Sequence, residues 1–404
     1  SHAMDRLLAG YHFDFVTWIA GMALDKLGYE LVRPHDGMTD ADQIAFVRDF
    51  MARVAEHQRL ESEIRRLYID PNIADPEAAS AEWRARRNQL RREINARQDI
   101  AEAILQEQVE AILREEGFAL GGQVLPPLRF RFTRLPYILI VSPRDRILVI
   151  DQRGLRAGLT VDEQDRIERL VAKRFNVSTL VTPIGGLAAY PTMLPETASL
   201  RFAISTAAHE WAHNYLMATL APVALRYLND PVSRVINETA ASIFEEEIAE
   251  RVFQRFYPEL ARADQPALDQ PQAPPIPKPD QPPPFDFRAE MRKTRVHVDD
   301  LLAAGKIEEA EAYMEARRKI FVQNGYSIRK LNQAYFAFHG AYNATPGGAP
   351  AAGRDPIGPA VQALRQRSAT IGDFLRTISR VATLEDVERA FLSEQAILAN
   401  RASR

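Results

Sequence analysis

From Thr39 to about Phe118 charged and apolar residues alternate with a helical period, in two arms separated by the turn-rich stretch YIDPNIADPEAAS. In the second arm Leu90, Ile94, Ile104, Ile112 and Leu113 fall at intervals of one apolar stripe. The pattern predicts a long helical hairpin with solvated charged faces. At Leu125 the character changes. LRFRFTRL alternates apolar and polar residues, and YILIVSP and RILVID follow with a Pro-Arg-Asp turn between them, which predicts the hairpin of a small sheet. Thr160 and Glu163 have capping-box spacing before the helical run that ends near Phe175, and STLVTPIGGLAAYP then reads as a strand or extended segment. One helix is predicted from about Thr197 to Leu220, stopped by Pro222, and another from Asp230-Pro231 to about Tyr257.

Composition then breaks. Nine prolines between Gln265 and Pro284 cannot form a packed element and read as an extended loop or linker. Beyond them a helical pair turning at Gly305 is predicted, then the helical SIRKLNQAYFAFHGAYN, a Gly/Pro-rich loop at 345–358 and terminal helices. The expected fold is α+β and mostly α. Its predicted parts are an N-terminal helical region with the long hairpin (1–120), a core carrying the two central helices (121–260), a proline-rich linker or loop (261–287) and a C-terminal helical region closing a cleft (288–404).

Charge narrows the function classes. The 51 basic and 54 acidic residues are mixed along the chain, a balance that points away from nucleic acid or an anionic membrane as partner. The chain has no cysteine, so thiolate catalysis and sulfur-ligated zinc are excluded and any metal must sit on His, Asp or Glu. The leading SHAM reads as a cloning remnant, so a signal or anchor ahead of it is compatible with the sequence. The first apolar stretch is interrupted by His12, Asp14 and Asp25 and is not expected to span a bilayer.

The chemistry concentrates in STAAHEWAHNYL, Ser205 to Leu216. Residues four apart lie one turn above each other on a helix, so His209 and His213 can direct imidazole nitrogens to one point, the geometry of two zinc ligands. Glu210 sits about 100° round the axis, where its carboxylate can reach a metal-activated water without being a ligand. Zinc needs a third protein ligand, and the next helix offers Glu238 in VINETAASIFEEE, with small neighbours that allow close helix packing. Glu245, Glu246 and Glu247 are the fallback candidates, and Asn237, Thr239 and Ser242 could orient the ligands from behind. His12, His35, His57 and His297 lack partner spacing.

HEWAH at 209–213 and NETAAS at 237–242 together resemble the gluzincins, the zinc metallopeptidases in which HExxH supplies two ligands and a glutamate on a later helix the third. The specific likeness covers about Leu180 to Glu250. The interval from HEWAH to Glu238 is a little longer than is usual in thermolysin-like and aminopeptidase-like enzymes. A metzincin is excluded, because Leu216 and Thr219 stand where its Gly and third His would be. The resemblance implies a zincin-like core with a small mixed sheet, a Zn2+ cofactor on His209, His213 and Glu238, and Glu210 as general base and then general acid in peptide hydrolysis. It also implies an oxyanion donor from a later segment, for which Tyr335, then His339, then Tyr342 or Tyr326 are the candidates. A peptide or protein substrate is expected to add as a strand along an edge, for which Pro183 to Pro191 is the candidate. An extracytoplasmic or membrane-associated setting is favoured over a cytoplasmic one. Two alternatives stay open: a catalytically inactive interaction protein on a metallopeptidase fold, and a zinc hydrolase of a non-peptide substrate. Endo- and aminopeptidase action are not separated by these residues.

Overall fold

The computed structural model describes residues 2–11, 34–134, 136–183, 192–227, 229–261, 285, 287–342 and 357–402. It is mostly helical with small sheets. The predicted proline-rich run, the Gly/Pro-rich loop up to 356 and most of the Pro183 to Pro191 edge lie outside the described residues.

The hairpin forms as two long helices, α1 (Asp40–Ile69) and α2 (Ala81–Glu115), joined through a short turn at Pro76–Ala79. Thr39 starts α1, its side chain accepting from Asp42 N at 3.2 Å, which satisfies an otherwise orphaned amide. The buried stripe of α2 is not purely apolar, because Gln98, Glu102 and Gln106 lie within it. Together with Glu110 they form a row at intervals of four that faces strand β1 (Phe130–Thr133). Gln98 Nε2 donates to Phe132 O at 2.8 Å, Phe132 N donates to Glu102 Oε1 at 2.7 Å, Phe130 N to Gln106 Oε1 at 3.3 Å and Leu128 N to Glu110 Oε1 at 3.1 Å. Four helical residues advance about 6 Å and two strand residues about 6.6 Å. The helix can therefore satisfy alternate strand residues in the place of a neighbouring strand.

The other edge of β1 pairs in parallel with β5 (Thr192–Pro195), Phe130 opposite Thr192. A separate three-stranded sheet has the order β3-β2-β4, all antiparallel, from β2 (Tyr137–Pro143), β3 (Asp151–Leu155) and β4 (Val177–Pro183). Here the sequence reading needs correction. RILVID was expected to pair back on β2, but the partner strand begins only at Asp151, opposite Val141. Ile147 and Val149 instead pack against apolar clusters built partly from the later helices, while Leu148 and Ile150 are about half exposed, at 51% and 52%. The antiparallel hairpin itself forms, with Ile150 N donating to Val141 O at 2.9 Å, but the alternation from Ile147 to Val149 records contact with those helices. Helix α3 (Val161–Phe175) begins as expected, with Thr160 N donating to Glu163 Oε2 at 3.0 Å.

The two central helices are α4 (Leu200–Ala218) and α5 (Pro231–Phe256). Ser199 caps the first, accepting from Phe202 N at 3.2 Å, and Asp230 caps the second, accepting from Val232 N at 3.1 Å and Ser233 N at 3.2 Å. Pro231 occupies the first helical position, where its missing N–H costs nothing. Ala207, Ala208 and Ala212 of α4 and Ala240 and Ala241 of α5 are buried in one core, and such small side chains let two helix backbones approach closely. Trp211 anchors that core. It stacks on Tyr215 and Phe244 at centroid distances of 5.4 and 5.7 Å and donates its indole N–H to Pro126 O at 2.7 Å. The hairpin helices contribute Val47, Phe50, Ile94 and Ile104 to the same core, so they are built into the site's support.

The C-terminal helices divide between two places. Helices α6 (Phe287–Ala303), α7 (Ile307–Gln323) and α8 (Gln333–Tyr342) form a cluster of their own beside the three-stranded sheet. Helices α9 (Ile357–Arg367), α10 (Ile371–Ile378) and α11 (Leu384–Ala402) supply Val361, Leu364, Phe374 and Val387 to the core around α4 and α5. Gly305 ends α6 as expected, at φ +72°, a backbone conformation that a side chain would strain.

Where the hairpin meets the residues just after β5, His57 is 7% exposed. Arg91 Nη2 lies 3.2 Å from both of its ring nitrogens, while Arg91 also binds Glu196 at 2.6 and 2.7 Å. Burial, then the Arg91 charge, push His57 from the usual 6.5 down to about 4, against the pull of Glu196. Between those values the unfolded chain binds a proton that the folded chain does not. Stability from this residue is therefore complete above about pH 6.5 and falls as the pH drops towards 4, by about 3 kcal/mol in all. Urea midpoints of wild type and His57→Gln across that range should converge on acidification; parallel curves would contradict this reading.

Candidate metal centre

Residues 209 and 213 lie one turn apart on α4, and residues 238 and 245 lie two turns apart on α5, so each helix presents one face to the other. The contacts show an antiparallel match: His213 meets Asn237 and Glu238, and His209 meets Glu245. The connection between the helices contains a short turn at Pro222–Leu225 and then Tyr227. That connection spans the interval between HEWAH and Glu238.

At the centre, His209 Nε2 and His213 Nε2 are 3.0 Å apart, and Glu238 Oε2 is 3.5 Å from the first and 3.7 Å from the second. These three atoms form a near-equilateral triangle. Ligands about 2.0–2.1 Å from a tetrahedral zinc stand about 3.3 Å from one another, so the triangle fits three corners of such a site. His209, His213 and Glu238 side chains are 18%, 24% and 41% exposed, which leaves the group open to solvent on the glutamate side.

Each of the three side chains meets a further group on its other side. His213 Nδ1 donates to Asn237 Oδ1 at 2.8 Å, and His209 Nδ1 lies 2.7 Å from Glu245 Oε2. The Asn237 oxygen holds the proton on His213 Nδ1 and leaves its Nε2 to face the centre, the arrangement that fixes an imidazole ligand, while the Glu245 carboxylate lies within ion-pair distance of His209 Nδ1. Tyr227 donates its hydroxyl to Glu238 Oε1, while Oε2 is the oxygen 3.5 and 3.7 Å from the histidine nitrogens. Burial disfavours the His209 cation, but Glu238 and Glu245 outweigh it and raise the group to about 9. Contact with His209 overcomes burial at Glu238 and, with the Tyr227 hydroxyl, lowers it to about 2. The Glu238 hydrogen bond, with burial adding, raises Tyr227 to about 12. The centre is thus rich in negative charge and draws a positive one.

Glu210 is half-buried beside this group, close enough for its charge to act on both His209 and Tyr227. Among the fallback ligands, Glu245 serves His209, Glu246 is exposed and Glu247 binds Arg365 through both oxygens at 2.5 and 2.7 Å. Ser242 is exposed, whereas Asn237 is buried and contacts His213. Tyr335 is not brought here. It packs with Ile140, Leu180, Ala334 and Phe338 against the three-stranded sheet, in clusters to which α4 and α5 do not contribute. Its aromatic stripe on α8 is core. Tyr326 lies in the cluster around Phe321, and the side chains of His339 and Tyr342 lie outside the described residues.

The remaining histidines are placed elsewhere. His35 pairs with Glu107 at 3.1 Å, near Asp36, on the hairpin. His297 packs on Tyr313 at 4.4 Å, and His12 lies outside the described residues. Tyr227 is the residue that sequence reasoning missed, since a single tyrosine in a connecting turn has no spacing to mark it. No helix among the described residues is long and apolar enough to cross a membrane. Comparison with family models, with curated proteins and with solved structures finds no match to this chain.

Proposed function

We propose that this chain is a zinc-dependent metallopeptidase with a zincin-like core. The observation that carries the reading is the triangle of His209 Nε2, His213 Nε2 and Glu238 Oε2, with sides of 3.0, 3.5 and 3.7 Å and one face open. A zinc ion held by these three residues would supply Lewis-acid polarisation of a carbonyl and acidify water at that face. Glu210 takes the proton from the attacking water and delivers it to the leaving amine, acting first as base and then as acid. Asn237 keeps the His213 imidazole in the tautomer that presents Nε2, and Glu245 places a negative charge beside His209.

A peptide is favoured as substrate by the strand beside the centre. Asn214 of α4 donates to Thr192 Oγ1 of β5 at 3.2 Å, and among the described residues β5 pairs only with β1. Its other edge therefore offers backbone groups to an extended chain next to the HEWAH helix. The protein is expected to cleave a mixed peptide library, to stop when zinc is chelated and to resume when zinc alone is restored. Cleavage unaffected by chelation would sink the metal reading, and the product profile separates internal from terminal cleavage.

A further inference from the structure

Resting on that metal reading, we infer that Tyr227 is a positioning residue that keeps Glu238 a one-oxygen ligand. A carboxylate can bind a metal through one oxygen or two, and the choice changes both the number of ligands and the room left for substrate. In Glu238 the oxygens are already divided. Oε2 stands 3.5 Å from His209 Nε2 and 3.7 Å from His213 Nε2, whereas Oε1 accepts the Tyr227 hydroxyl.

Contacts outside the triangle help hold Tyr227 in place. Tyr227 N donates to Ala224 O at 3.2 Å, which ties it to the short turn at Pro222–Leu225, and its own carbonyl accepts from Arg234 Nε at 3.2 Å. The Arg234 guanidinium also lies 5.5 Å from the phenol ring centre. On the other side the ring meets His213 edge to face at 6.1 Å. The phenol is therefore set between the first turn of α5 and His213, with its hydroxyl on Oε1 while Oε2 is the oxygen in contact with both histidine nitrogens. Occupied in this way, Oε1 is withheld from the centre, leaving three protein donors and an open position.

The test compares wild type, Tyr227→Phe and a control, Tyr215→Phe, whose ring stacks on Trp211 within the core. Zinc affinity is measured by chelator competition, and the visible spectrum is recorded after loading with cobalt(II), whose band intensities report coordination number. Tyr227→Phe is expected to bind zinc about 10–100-fold more weakly, and its cobalt spectrum should weaken towards higher coordination as Glu238 turns both oxygens inward. The control should match wild type in both. If wild type binds one equivalent while Tyr227→Phe keeps its affinity and spectrum, the assignment is overturned and the metal reading stands. A fall in affinity with an unchanged spectrum also overturns it, because the tyrosine would then only support the fold. If wild type binds no metal, the reading beneath fails and takes this one with it.

Discussion

Glu210→Gln is expected to slow peptide hydrolysis by at least about 100-fold and by as much as about 10,000-fold, the range attributed to a positioned general base, with little change in zinc affinity. Glutamine has nearly the shape of glutamate but cannot take up a proton at neutral pH. Glu210 is not one of the three residues of the triangle, and the groups that meet the histidines from behind are Asn237 and Glu245. Catalysis and metal holding should therefore separate in this variant. A rate within a few-fold of wild type would remove Glu210 from the mechanism. Loss of zinc together with activity would show that it acts on the metal directly.

The second large effect lies away from the centre. Glu168 of α3 is fully buried and accepts from Arg329 at 2.6 and 2.7 Å, from Lys330 at 3.1 Å and from Val181 N at 2.6 Å. Burial alone would raise its carboxyl group, but Arg329 and Lys330 overcome that and hold it below the ordinary range. Glu168→Ala leaves a strand amide and two cations without their acceptor, one of them the nearly buried Arg329. Removing one partner of a buried charge pair costs about 3–5 kcal/mol, and a loss of that size in urea unfolding is expected. The double variant Glu168→Leu/Arg329→Met should recover part of the loss, because it removes the nearly buried Arg329 charge together with its partner and leaves only the more exposed Lys330 and the Val181 amide without that acceptor. A loss below about 1 kcal/mol in the single variant would mean that the cluster is not a structural tie between the C-terminal segment and the sheet.

These two sites differ in how far the chain announces them. The caps are local, so Thr160 with Glu163 and Asp230 with Pro231 mark helix starts wherever those helices go. His209 and His213 are local in the same sense, since one turn of helix places them together. Glu238 needed the additional fact that α5 runs back along α4, which the short connection and the alanines favour but do not dictate.

Other features depend on partners distant in sequence, and there the local pattern misleads. Glu168 meets Arg329 across 161 positions, so nothing near it foretells the pairing. RILVID looked like a strand because Ile147 and Val149 alternate with more exposed residues, although what covers them comes partly from the C-terminal helices. Tyr335 was a candidate from its helical stretch, but its ring packs on the three-stranded sheet. The row of Gln98, Glu102, Gln106 and Glu110 looked like ordinary polar surface. Its function emerges only when β1 lies alongside with its amides at a matching spacing.

The most direct test of the account is a zinc titration of the chelator-stripped full chain, by competition with a chromophoric chelator, for wild type, His213→Ala and Glu238→Ala. The predicted result is one tight zinc per wild-type chain, a loss of tight binding in both variants, and retained binding in Glu246→Ala, whose glutamate is exposed and apart from the triangle. Wild-type protein that takes up no stoichiometric zinc, or that binds it equally well without His213, would contradict the account at its centre.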